Sequence, residues 1–285
     1  MAIDISERIR NCYPSFSKGQ KKIANAILHD YDKAAYMTAA RLGRLVGVSE
    51  STVVRFAYEL GFEGYAEFQR SVQELVRTKL TPNQRIEVTK QRMRKGDVIE
   101  NVMEADISKI RLTLEQLNRD AFMGAVDSIL KAKTIYVIGA RSSEPLARFL
   151  KYNLSLIFDN VKFINPTSTA EVFEQMFSIG MGDLLIAFSF PRYSSKMVSA
   201  VKYARQNGAE VVVFTDSSIS PLAEYATYLL LAQSDMASFM DSLVAPTSII
   251  NAIIVEITNR REKEITERFD QLEKVWDEYE VYTKR

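Results

Sequence analysis

Two periodicities divide the chain. Up to about residue 80 the apolar positions recur at intervals of three and four: Ile5, Ile9 and Tyr13; then Ile23, Ala24, Ile27, Leu28 and Tyr31; then Leu42 and Leu45; then Val53, Phe56 and Leu60; then a new run opening at Tyr65 and Phe68. That is the period of helices burying one face each, and it predicts an all-helical domain of about five helices. From Thr134 onward the pattern becomes short apolar runs rich in Val, Ile and Phe: TIYVIG (134–139), VKFIN (161–165), DLLIAFSF (183–190), AEVVVFTD (209–216) and YLLLA (228–232). Helix-like segments at about 143–158, 169–179, 194–207 and 218–226 separate them. Strands of this kind alternating with helices predict a parallel sheet covered on both faces. The expected fold class is therefore α + α/β, an all-helical N-terminal domain followed by a doubly wound five-stranded parallel sheet with flanking helices.

Two helices, from Asp97 to about Leu117 and from Arg119 to Lys131, precede the first strand. The first carries Val98, Ile99, Val102, Ile107, Ile110, Leu114 and Leu117. After the last strand, Leu243 to Ile257 is apolar on several sides and reads as a buried helix. Ile265, Phe269, Leu272, Trp276 and Tyr279 then recur in a short heptad-like seam, suited to packing within the chain or against a second subunit. Pro14 ends the first helix and Ser17 with Gln20 forms a capping-box pair for the second. Gly61 and Gly64 interrupt the pattern before Tyr65. The polar, basic stretch TPNQRIEVTKQRMRKG (81–96) reads as an interdomain linker. The expected division is thus residues 1–80, a linker at 81–96, and residues 97–285.

The stretch Thr38 to Phe62, TAARLGRLVGVSESTVVRFAYELGF, has the spacing of a helix-turn-helix. Gly43 is small enough for the two helices to cross closely, Gly47 supplies a positive φ at the turn, and Ser49 is placed to cap the second helix. Val53, Phe56 and Leu60 point inward, which leaves Ser51, Thr52 and Arg55 facing out. An ordinary helical hairpin shares this spacing. Charge favours the nucleic-acid reading: residues 1–96 hold 17 Lys+Arg against 10 Asp+Glu, a net of +7, whereas residues 97–285 hold 20 against 26, a net of −6. A basic N-terminal part on an acidic body fits a nucleic-acid partner for the first part alone.

Composition excludes several other chemistries. One cysteine, Cys12, rules out an internal disulfide or cysteine-cluster metal site. One histidine, His29, leaves the C-terminal half without a His-based metal site or triad. No apolar run approaches the length of a membrane span, and the N-terminus MAIDISERIR lacks a signal segment, so a cytoplasmic location is expected.

Ligands of doubly wound sheets bind beyond the carboxyl ends of the strands. Two of those ends are rich in hydroxyls: GARSSE, with Gly139, Arg141, Ser142 and Ser143, and SFPRYSS, with Ser189, Arg192, Ser194 and Ser195. Hydroxyls beside the exposed N–H groups of a helix start form a cradle for phosphate. Thr215, Ser217 and Ser218 follow the fourth strand as a third wall. Each serine alone also fits an N-cap. One glycine where a dinucleotide fingerprint needs three, and the absence of any G-K-[ST], exclude the Rossmann and P-loop motifs.

GVSESTVVRF followed by LGFEGYAEF makes the chain similar to the RpiR family of bacterial transcriptional regulators, a helix-turn-helix domain joined to a sugar isomerase (SIS) domain. The likeness runs from about Ile5 to Ile257. It implies a recognition helix from Glu50 to Leu60, base or phosphate contacts from Ser49, Ser51, Thr52 and Arg55, and backbone contacts from Arg41 and Arg44. The family's first phosphosugar loop, G-x-G-x-S, maps onto Gly139 and Ser143; its second, S-x-S-G-x-T, maps onto Ser189 and, conservatively, Ser194. Arg141 replaces a glycine of the first loop, and Pro191 with Arg192 replaces Ser-Gly in the second. Two added guanidiniums favour an effector richer in negative charge than a plain hexose monophosphate, such as a sugar acid phosphate or another carboxylate-bearing metabolite. Pairing of these arginines with Glu144, Glu171 or a subunit partner is the competing expectation.

The resemblance thus implies a cofactor-free homodimer or higher homo-oligomer that binds operator DNA and responds to an anionic, sugar-phosphate-like effector in carbohydrate metabolism. The alternative is a phosphosugar aldose–ketose isomerase with an appended helical domain. Without a histidine in the second domain, its general base would have to come from Glu144, Glu171 or Glu174, or from an Asp, Lys or Tyr.

Overall fold

The computed structural model describes residues 5–79, 81–92, 97–235 and 238–283. The chain divides into two compact units, with the boundary along the sequence near residue 95.

The first unit is all helical: α1 (Ile5–Cys12), α2 (Lys18–His29), a short α3 (Tyr31–Ala34), α4 (Ala39–Val46), α5 (Glu50–Glu59), α6 (Tyr65–Lys79) and α7 (Pro82–Arg92). Ser17 and Gln20 form the expected reciprocal capping box at the start of α2. The apolar stripes converge on a core of Ile9, Ile23, Ile27, Leu42, Val53, Phe56, Leu60, Phe68, Val72 and Val76. Phe56 lies at its centre, with ring centroids 5.0 Å from Phe16 and 5.7 Å from Phe68. Cys12 packs against this core, and His29 is exposed at the end of α2.

One expectation fails here. Leu45 is 59% exposed and takes no part in the core. Of the stretch expected as a linker, Pro82–Arg92 forms helix α7. Its polarity masked a second capping box: the Thr81 N–H donates to Gln84 Oε1 (2.9 Å) and the Gln84 N–H donates to Thr81 Oγ1 (3.3 Å), with Pro82 in the first turn, where its missing N–H costs nothing. Residues 93–96 of that stretch lie outside the described residues.

The second unit opens with α8 (Val98–Gln116) and α9 (Arg119–Lys131). It continues as β1 (Ile135–Gly139), α10 (Glu144–Ile157), β2 (Val161–Ile164), α11 (Thr169–Gln175), β3 (Leu184–Phe188), α12 (Ser195–Gln206), β4 (Glu210–Thr215), β5 (Tyr228–Leu231), α13 (Val244–Arg260) and α14 (Glu262–Glu278). The five strands are parallel in the order β2-β1-β3-β4-β5. Every residue of β1 and β3 is buried, as continuous apolar runs require when both sheet faces are covered.

The pleat sends alternate side chains to two cores. Ile135, Val137, Ile186, Phe188, Val212 and Phe214 pack with α9, α10 and α13; Tyr136, Ile138, Leu185, Ala187, Val211 and Val213 pack with α11 and α12. The rings of Phe188 and Phe214 stack across the first core at 4.4 Å. The helix expected at 218–226 reduces to one 3-10 turn, Ala223–Tyr225, because Pro221 lacks the N–H a continuing helix needs. Ile249, Ile250, Ile253 and Ile257 of α13 are buried as expected. In the heptad-like seam Ile265 is buried and Phe269 packs on the core, while Tyr279 is exposed. The Arg268 guanidinium pins α14 to the end of α10 through the Leu156 carbonyl (2.7 Å) and Asp159 (2.6 Å), which holds the Asp159 carboxyl below the usual carboxylate range.

No described helix is long and apolar enough to cross a membrane, and no cluster of His, Cys, Asp or Glu among the described residues has the makings of a metal site.

Candidate functional site

The helix-turn-helix is built from α4 and α5. Thr38 caps α4 by accepting the Arg41 N–H at 3.2 Å. Gly47 ends α4 with φ of 70°, the left-handed conformation its sequence position required. The Val48 N–H then returns to the Gly43 carbonyl at 2.9 Å. A Cβ on Gly43 would lie 2.8 Å from the Val48 carbonyl oxygen, so only glycine allows this turn to close. Ser49 caps α5: its Oγ accepts the Thr52 N–H at 3.3 Å and lies 2.9 and 2.8 Å from the Ser51 and Thr52 hydroxyls.

Val53, Phe56, Ala57 and Leu60 anchor α5 in the core, so the opposite face is presented to solvent. Ser51 and Arg55 are exposed and Thr52 is half-buried. Arg55 Nε donates to the Ser51 carbonyl (3.4 Å) and Arg44 Nε to the Ala40 carbonyl (3.3 Å), each along its own helix, so neither guanidinium is drawn into the core. Arg41 is likewise exposed.

The approach to α4 is held from α6. Tyr65 Oη and Gln69 Nε2 both donate to the Met37 carbonyl, at 2.7 and 2.8 Å, and Gln73 Nε2 donates to the Ala35 carbonyl at 3.1 Å. Burial pushes the Tyr65 hydroxyl up to about 12, so it remains a donor across the working pH range.

Packing adds one cation that local spacing did not single out. A Cβ on Gly19 would sit 3.4 Å from Val48 Cγ1, so the start of α2 lies against the turn; Lys22 Nζ accordingly comes within 3.9 Å of the Cβ position of Gly47. Lys22 is exposed there. No pattern around Lys22 announces this, because the neighbour lies 25 positions further along the chain.

The second candidate site is the carboxyl edge of the sheet. With α10 on one face and α11 and α12 on the other, the connections leaving β1 and β3 diverge, which makes the ends of these adjacent strands a topological switch point. Gly139 is required where β1 ends: a Cβ there would lie 2.7 Å from the Ser143 carbonyl oxygen and 2.9 Å from Ala147 Cβ. The chain then turns through Arg141, in the left-handed region at φ of 57°, and a 3-10 turn, Arg141–Ser143, into α10.

Ser143 and Ser194 occupy the N-cap positions of α10 and α12, yet neither side chain makes a capping hydrogen bond. Ser143 and Ser189 are buried, Ser194 is half-buried, and Ser142, Ser195, Arg141 and Arg192 are exposed. The Ser189 N–H extends the ladder to the Phe214 carbonyl at 3.0 Å. Glu144 pairs with Arg148 at 2.7 Å and Glu171 accepts from Thr167, so the described partners of these carboxylates are not Arg141 or Arg192.

Over β4 the arrangement differs from a simple hydroxyl wall. Thr215 is fully buried, with its hydroxyl 3.4 Å from Asp216 Oδ1, and Ser217 Oγ accepts the Ile219 N–H. Next to Thr215, Asp216 is buried and accepts from Tyr193 Oη at 2.7 Å. Lys196 Nζ, in the first turn of α12, donates to the Pro166 and Thr167 carbonyls at 3.0 and 2.9 Å and ties down the loop after β2. Asp216 had a signal in the sequence, an acid directly at the end of an apolar strand; Tyr193 and Lys196 had none.

Comparison with known proteins agrees with both units. Residues 3–79 match the helix-turn-helix domain of the rpiR family and residues 128–256 match the SIS domain. An uncharacterized HTH-type transcriptional regulator of Haemophilus influenzae is 28% identical, covering 80% of this chain and 79% of the relative. The HTH-type transcriptional regulator HexR of Escherichia coli is 24% identical, covering 91% and 89%. Among solved structures, the Vibrio vulnificus NanR protein complexed with ManNAc-6P superposes with a TM-score of 0.63 at 21% identity, covering 98% of this chain and all of that one. The sugar isomerase domain of an RpiR transcription factor from Sphaerobacter thermophilus gives 0.58 at 26% identity, covering 61% of this chain and 96% of that one. With a helix-turn-helix of the rpiR type followed by a SIS domain, the chain belongs to the RpiR family of transcriptional regulators.

Proposed function

We propose that this chain is a homodimeric, DNA-binding transcriptional regulator whose SIS domain takes up an anionic, sugar-phosphate-like metabolite and thereby changes operator binding. One observation carries the sensing half: Ser143 and Ser194 stand at two helix N-caps at a topological switch point with their hydroxyls unspent on capping. Each pairs a hydroxyl with helix N–H groups, the chemistry that holds phosphate. Arg141 and Arg192 beside them favour a second negative charge, and Asp216 supplies an acceptor for sugar hydroxyls. A sugar acid phosphate meets all three demands. The ManNAc-6P complex of NanR is in keeping with this reading, although the likeness to that protein is one of fold. Preferential binding of the effector to one arrangement of the DNA-binding domains shifts operator affinity by its differential affinity for the two arrangements.

The isomerase alternative has less support. Glu144 is committed to Arg148, Glu171 accepts from Thr167, and Glu174 is exposed on α11. A gel-shift assay with operator DNA and a panel of sugar phosphates and sugar acid phosphates tests the proposal. A shift altered by one of these ligands without turnover supports it; turnover with no specific DNA binding rejects it.

Arg55→Ala is expected to lose about 1–3 kcal/mol of discrimination between operator and unrelated DNA, the worth of a bidentate base contact. The affinity ratio for the two DNAs measures this, and an unchanged ratio removes Arg55 from base recognition. Arg141→Ala and Arg192→Ala are each expected to raise the effector Kd in calorimetry. If both variants keep the parental Kd, the effector carries no charge beyond the phosphate at these positions.

A further inference from the structure

The helix α8 is turned in an unexpected direction. Its polar stripe faces the protein: Lys109 and Thr113 are buried, Asp106 accepts from Ser242 (2.8 Å) and Lys109 (3.1 Å), Thr113 Oγ1 accepts the Gln233 N–H (2.9 Å), and Gln116 accepts from the Gln233 side chain (2.8 Å). Its apolar stripe faces out. Ile99, Met103, Ile107, Ile110 and Leu114 follow one another at steps of four, four, three and four, and their exposures run from 36% to 67%. A helix whose only neighbours were in its own domain would gain by rotating this stripe inward.

We infer that this stripe is the seam between two copies of the chain, with the α8 helices antiparallel about a two-fold axis near Ile107. The spacing is self-complementary, as an isologous interface demands. Antiparallel pairing sets Ile107 against its own copy, Met103 against Ile110, and Ile99 against Leu114. Charge follows the same symmetry. Glu100, Glu104 and Arg111 are exposed along one flank of the stripe, and the antiparallel register brings Arg111 beside the segment between Glu100 and Glu104 of the second copy. Each large aliphatic side chain at such exposure offers on the order of 100 Å², so the two stripes together bury about 1,000 Å², the size at which specific interfaces begin. The seam specifies the homodimer of the proposed function and rests on that reading.

Sedimentation analysis of the full-length protein tests it. Ile107→Glu faces two carboxylates across the axis and is expected to weaken the dimer roughly 100-fold, with the far-UV signal of the folded chain unchanged because the position is exposed in the single copy. Arg111→Glu is expected to weaken it too, and Glu104→Arg combined with Arg111→Glu to restore it at least in part. In a Cys12→Ser background, Ile107→Cys is expected to form a covalent dimer under mild oxidation, whereas Val255→Cys, exposed on α13, is not. A dimer whose affinity ignores Ile107→Glu, or that fails to cross-link through position 107, overturns the seam and leaves the dimer standing. A wild-type chain that stays monomeric overturns both.

Discussion

Phe56→Ala is expected to cost the helix-turn-helix domain about 3–5 kcal/mol, the usual consequence of emptying a fully buried aromatic site. The ring is inaccessible to solvent and touches Phe16 and Phe68, so its removal opens a cavity between α2, α5 and α6. A small domain commonly has about 5–15 kcal/mol of stability in total, so the loss is a large share of it. The recognition helix depends on the same residue for its orientation: Phe56 adjoins Arg55 and lies one turn beyond Thr52. Operator binding should therefore fall sharply, while effector binding in calorimetry stays at the parental value because the sheet has its own cores. Urea unfolding followed by Tyr and far-UV signals should show one early and one unchanged transition. A variant with parental operator affinity would show that the orientation of α5 does not depend on this core.

Gly139→Ala should produce the opposite pattern. The new methyl lies 2.7 Å from the Ser143 carbonyl and 2.9 Å from Ala147 Cβ, inside contact distance of a backbone atom that cannot swing away. Relief requires the start of α10 to move off the sheet. Overpacking of this kind costs about 1–3 kcal/mol, and here it displaces Ser143, a proposed phosphate ligand. The expected outcome is a lower melting temperature for the second unit and a gel shift that no longer responds to effector, with basal operator affinity retained. A normal effector response in Gly139→Ala would separate Ser143 from ligand binding. Together the two variants test whether input and output reside in the separate units.

Much of this organisation was legible in the sequence where the determinant is local. The capping hydroxyls of Ser17 and Ser49, the positive φ at Gly47 and the continuous apolar runs of β1 and β3 are dictated by their own neighbours within a few positions. Local reading missed the helix at α7, whose Thr81–Gln84 capping box was hidden in a polar stretch without a continuous apolar face. It also failed at Leu45, where an apolar residue was assigned to a face that the crossing of α4 and α5 turns to solvent.

The candidate sites divide along the same line. The sequence alone determined the two-unit order, the helix-turn-helix, the parallel sheet and the two serine-bearing strand ends, because each is written in short-range periodicity or in a loop directly following a strand. Only the tertiary structure decided that Asp216 and Tyr193 meet, that Lys22 reaches the turn at Gly47, and that α8 turns its polar stripe inward and its apolar stripe out. Those facts depend on which surfaces distant segments bring together. A helix pattern specifies which side chains share a face, but only the packing around it determines where that face points.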